Sequence, residues 1–131
     1  MAQQEIELIL MRQLSSYLAM PIFIVAPNGD VLFYNEPAEA ILGLRFDETG
    51  KVNTDRFFDL FKPMKEDGTP FLQEEFPLYT ARRFQRPAHS RFRIRGMDGV
   101  QRNAEGIAFP LMGQSGRQLG AVRIFWEQKD E

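Results

Sequence analysis

The sequence predicts an α+β fold: a five-stranded antiparallel sheet, short helices on one face, and an amphipathic helix ahead of it. Three observations predict it. Two apolar runs flank Asn28-Gly29, capped helical segments fill the middle of the chain, and three strand-like stretches close it. Strands, then helices, then strands is the order of an α+β domain rather than of alternating parallel units.

Residues 3–18 are expected to form the amphipathic helix. Leu10, Met11, Leu14, Tyr17 and Leu18 are spaced to build one apolar stripe, and Ile6 extends it. Leu8 and Ile9 fall off that stripe, so the helix carries more apolar surface than one contact covers. Two partners are therefore expected, its own sheet and a second subunit; cover for the sheet alone is the plainer alternative. Pro21 ends the helix.

Strands are expected at about 22–26 and 31–34, both rich in β-branched and aromatic residues, with Asn28-Gly29 supplying the positive φ of a tight turn. Asn35 can cap a helix over 36–43, in which Pro37 suits the first turn and Gly43 the left-handed stop. Residues 44–73 are harder. Asp55–Phe61 has helical spacing, with Thr54 or Asp55 as its cap, and Lys65–Pro70 forms a turn. A further helix runs over about 74–85 and stops before Pro87. Arg91–Arg95 alternates strictly, one face basic and the other apolar. Asp98-Gly99 turns the chain, residues 100–110 return, 112–117 form a loop, and 118–126 make the last strand.

Composition bounds the function. The 131 residues suit one domain, with 44% apolar and 26% charged residues and a net charge of −2. That charge gives no reason to expect nucleic acid. Residues 1–70 carry −5 and residues 71–131 carry +3, enough to polarise a surface. No run approaches a membrane span, and the N-terminus has no signal-peptide pattern, so a cytoplasmic location is expected. The absence of cysteine removes disulfides, thiolate catalysis and cysteine-ligated zinc. A serine triad would have to use His89, the single histidine, and no serine sits in a Gly-x-Ser-x-Gly elbow. Paired acids such as Glu74-Glu75 suit helix N-termini better than acid–base work. No catalytic residue and no metal ligand is assigned.

Pro21–Asn35, followed by Glu36-Pro37-Ala38-Glu39-Ala40-Ile41-Leu42-Gly43, resembles the opening of a PAS domain. Glu74-Glu75-Phe76-Pro77-Leu78 resembles the start of that family's long connecting helix. Met97–Val100, Ala108–Leu111 and Ser115–Val122 resemble its last strands and turns. Five weak matches in the right order span residues 21–126. One departure is visible: Phe125–Glu131 stands where many members carry Asp-x-Thr, the signature of the usual downstream route.

The resemblance implies a strand order of 2-1-5-4-3 and three parts: an N-terminal helix (1–20), a PAS-like domain (21–127) and a tail (128–131). It also implies a non-catalytic sensory or interaction module, homodimeric through the helix and the outer sheet face. Interface candidates are Ile6, Leu10, Leu14, Tyr17, Leu18 and Trp126. Pocket candidates are Ile24, Tyr34, Asn35, Phe57, Phe61, Leu78 and Phe92. Twelve phenylalanines can close such a pocket as readily as line it, and a filled core is the favoured reading. Without cysteine, a cysteinyl-flavin adduct is chemically excluded. A non-covalent flavin or another small organic ligand stays open as an alternative, making the domain a redox or ligand sensor. Haem is disfavoured because the helix over 74–85 offers no imidazole. Arg91, Arg93 and Arg95 could meet an anion or an acidic partner; the plainer reading is a solvated face paired with Glu105, Glu127 or the N-terminal acids. Output, transcription regulation included, would come from a signalling partner or a missing output domain.

Overall fold

The computed structural model of the chain describes residues 6–43, 45–49, 52–95 and 99–128. Helix α1 (Ile6–Ser15) leads into β1 (Ile22–Val25) and β2 (Val31–Tyr34). Four short helices follow: α2 (Glu36–Leu42), α3 (Phe46–Thr49), α4 (Thr54–Phe61) and α5 (Pro77–Phe84). Strands β3 (Ala88–Arg95), β4 (Gln101–Met112) and β5 (Gln118–Glu127) end the chain. The five strands form one antiparallel sheet in the order β2-β1-β5-β4-β3. That is the order the resemblance implies, and it puts the last strand at the centre.

Side chains alternate across a strand, so register decides which residues meet the helices. Phe23 lies opposite Arg123 and Tyr34, and Val25 opposite Ala121. These share the inner face with Phe92, Ile94, Ala104, Ala108 and Phe125, against α2 and flanking rings from Phe57, Phe71 and Phe76. In the middle of β4 this face carries the small residues Ala104, Gly106 and Ala108, between Arg102 opposite Ile94 and Pro110 opposite Ala121. Their neighbours across the ladders include Phe92, Phe125 and Arg123, so large side chains lie over small ones. A Cβ at Gly106 would come within 2.7 Å of that of Phe125, so no larger residue fits without displacing the ring.

The outer face is a second apolar layer. Ile22, Ile24 and Val122 are buried there under Leu8, Met11 and Leu18, with Phe33, Phe109 and Ile124 around them. The stripe expected on α1 is therefore divided. Leu8, read as lying off the stripe, packs on the sheet with Met11, and so does Leu18, expected at a subunit contact. Ile6, Ile9, Leu10, Leu14 and Tyr17 are exposed, Tyr17 by 86%.

Local chemistry fixes the joints. Asn35 caps α2 as expected, accepting from the Ala38 N–H at 3.2 Å, and Gly43 ends the helix at φ +75°. Helix α4 is capped by Asn53 instead of Thr54 or Asp55: its side-chain oxygen accepts from Asp55 N at 3.0 Å. The Asn53 amide also reaches Asp30 Oδ1 at 3.0 Å, while Thr54 N donates to Gly29 O at 2.8 Å. The hairpin turn thus anchors α4, a long-range constraint invisible in helix spacing. Gly29, at φ +93°, leaves room there for the Arg82 guanidinium. Helix α3 was not anticipated. It is a single turn that brings Phe46 edge-on to Phe33 and Tyr34 at 5.4 and 5.3 Å.

Candidate functional site: a cavity on the inner sheet face

Between the inner sheet face and helices α4 and α5 lies a cavity of about 120 Å3. Its walls are mainly apolar, with Phe23, Phe57, Phe76, Phe92 and Phe125 contributing rings. The rings meet one another edge-on more often than face to face: Phe76–Phe92 at 5.5 Å, Phe92–Phe125 at 5.7 Å, Phe23–Phe57 at 6.0 Å. Such contacts satisfy the ring quadrupoles and fix their orientations. The phenylalanines line the space instead of filling it.

Of the pocket residues expected from sequence, Phe57, Leu78 and Phe92 line this cavity. Tyr34 stands behind the wall, buried, its ring 5.5 Å from Phe23 and 6.1 Å from Phe57. Ile24 is placed on the opposite face, under α1; its neighbour Phe23 reaches the cavity. Asn35 has a different task. Its oxygen accepts from Ile22 N as well as Ala38 N, and its amide donates to Ser15 O and Met20 O, both at 2.9 Å. It stitches the end of α1 to β1 and α2. The Phe61 side chain lies outside the described residues.

The remaining candidates sit on the outer face. Trp126 is half-buried opposite Glu105. Arg91, Arg93 and Arg95 share that side of β3. Arg91 lies 3.7 Å from Glu66 and 3.8 Å from Glu105, so acids of this chain answer its charge. Glu105 also holds His89 at 2.6 Å. His89 is consequently on the far side of the sheet from the cavity and cannot supply an axial ligand there.

Sequence reasoning missed the residue that dominates the cavity. Arg123, on the central strand, is only 4% exposed. Its guanidinium carbon lies 4.5 Å from the centre of the Phe76 ring, 4.7 Å from Phe92 and 6.0 Å from Phe125. Among the described residues, no acceptor reaches either of its terminal nitrogens. Burial pulls its pKa well below the ordinary guanidinium value, to about 9, leaving it charged at neutral pH. Two further polar atoms on the cavity wall are buried without partners, Thr54 Oγ1 and Arg82 Nε. A signal for Arg123 was present: Ala121-Val122-Arg123-Ile124-Phe125-Trp126 is apolar except at one position. A charge inside such a run belongs to a strand covered on both faces.

Size limits what can enter. A cavity of roughly 150 Å3 takes a benzene-sized guest. The space here suits one ring. Among the described residues no group of three or more His, Asp and Glu is placed to hold a metal, and no helix is long and apolar enough to cross a membrane.

No protein-family model matches the sequence, and no curated protein sequence matches it. Solved structures do. The chain is similar to the PAS domain of Bordetella pertussis BvgS, with a TM-score of 0.65 at 16% identity, covering 95% of this chain and 88% of that one. It is similar to the Rhodobacter sphaeroides LOV protein, with a TM-score of 0.72 at 12% identity, over 95% of this chain and 69% of the other. The PAS domain of nitrogen regulation protein NR(II) from Vibrio parahaemolyticus gives a TM-score of 0.65 at 13% identity, over 91% and 98%. Strand order, the covering helices and these likenesses agree: the chain has the fold of the PAS domains.

Proposed function

We propose that the chain is a sensory module of signalling that holds a small organic ligand between its sheet and helices α4 and α5. One observation carries this reading. Six phenylalanine rings, Phe58 among them, line an apolar space of about 120 Å3 on the inner face. Close-packed cores seldom leave room for more than a water molecule, whereas ligand sites are apolar and largely preformed. The output of such a module is binding rather than turnover.

The test is direct. Benzyl alcohol, a neutral one-ring probe, is expected to raise the melting temperature and to shift the backbone amides of Phe23 and Phe125, because binding the native state alone stabilises it. Unmoved amides with every one-ring probe, charged or neutral, would sink the reading.

The exposed apolar side of α1 supports a second element, pairing of two copies through Ile6, Leu10, Leu14 and Tyr17. Ile6, Leu10 and Leu14 share one exposed face of α1, and Tyr17 stands exposed in the turn after it, a patch of the kind that marks an interaction site. Light scattering at high micromolar concentration should report a dimer, and Leu10→Glu with Leu14→Glu a folded monomer. A monomeric parent protein removes this element and leaves ligand binding untouched.

A further inference from the structure

From the buried, unpartnered guanidinium on the cavity wall, we infer that the cavity takes a small organic anion, a monocarboxylate with a one-ring or short apolar body. Resting on the reading of the cavity as a ligand site, this assigns the ligand's chemistry. Arg123 holds its charge in the interior with three aromatic rings around it and, among the described residues, no carboxylate, carbonyl or hydroxyl on its two terminal nitrogens. Ring faces attract a cation but accept no planar pair of hydrogen bonds. A guanidinium fork matches the two oxygens of a carboxylate, and pairing is what makes a buried charge tolerable.

The surroundings narrow the class. The rings of Phe23, Phe57 and Phe125 receive an apolar body, which bare phosphate lacks. Thr54 Oγ1 and Arg82 Nε, also buried and unpartnered on the wall, can meet a second polar atom of the guest. The fork of Arg123 matches a single carboxylate. The outer-face arginines play no part: Arg91 already faces Glu66 and Glu105.

The experiment compares benzoate, benzamide and benzyl alcohol by calorimetry at pH 7, with wild type, Arg123→Met and Arg123→Lys. Wild type should bind benzoate at least tenfold more tightly than benzamide. Arg123→Met should lose that preference while still binding benzyl alcohol, and Arg123→Lys, with the charge but not the fork, should lose most of it. Should Arg123→Met fail to fold, the Arg123 Nε–H resonance of the wild type decides: it should move with benzoate and stay still with benzamide. Equal affinity for benzoate and benzamide, a preference that survives in Arg123→Met, or an unmoved resonance overturns the inference while the cavity remains a ligand site. Displacement of benzoate by inorganic phosphate overturns the carboxylate assignment. If none of the three ring probes binds, the ligand-site reading falls as well.

Discussion

Asn35 and Arg123 are buried almost equally, at 2% and 4% exposure, yet their surroundings have opposite character. Asn35 makes four hydrogen bonds that join α1, β1 and α2. Arg123 has rings on its sides and, among the described residues, no acceptor for its terminal nitrogens. A buried polar group with all its partners specifies a structure; one without them costs stability unless something else completes it. The first belongs to the scaffold and the second to the site.

The largest effect should come from Asn35→Ala. It strips the acceptor from two buried N–H groups and the donor from two carbonyls, and should destabilise by ~3–5 kcal/mol in urea unfolding. Arg123→Met should go the other way. It removes an unpaired buried charge while keeping much of the volume, and should stabilise the free protein by ~1–3 kcal/mol after the lost ring contacts are counted. Destabilisation by both substitutions would erase the distinction.

Acidity sharpens it further. The folded-state pKa of Arg123 is lowered from the ordinary guanidinium value to about 9. Between those values the unfolded chain binds more protons than the folded one, so stability rises with pH in that window. Below about 9 the cost of burying the charge is fully present. The margin by which Arg123→Met exceeds wild type should therefore hold near neutrality and narrow at about pH 10, as read from melting temperatures. A margin unchanged with pH would mean that the gain comes from packing. The smallest effect belongs to Thr54→Val, which removes a buried hydroxyl with no partner and should change stability by ~0–1 kcal/mol.

How legible these features were in the sequence follows from the range of the interactions that make them. The hairpin around Asn28-Gly29 and the Asn35 cap are decided within a few residues, and both were readable. The cap of α4 was not, because Asn53 is fixed partly by Asp30 across the hairpin. Ile24 and Phe23 were confused because the hydrophobic pattern of β1 is apolar at every position; a one-residue choice then moves a side chain to the other face. Strict alternation on β3 leaves no such choice of face, and Phe92 lies beside the cavity. Arg123 escaped because only the β1–β5 pairing, from opposite ends of the chain, shows that it shares a face with Phe23.

The position of Arg123 on the central strand has a mechanical side. Its neighbours in the chain, Val122 and Ile124, point the other way, into the layer on which α1 rests. One strand backbone thus serves two layers: β5 floors the cavity with Arg123 and Phe125 and bears α1 on its other side through Val122 and Ile124. The two layers share a wall a single peptide thick.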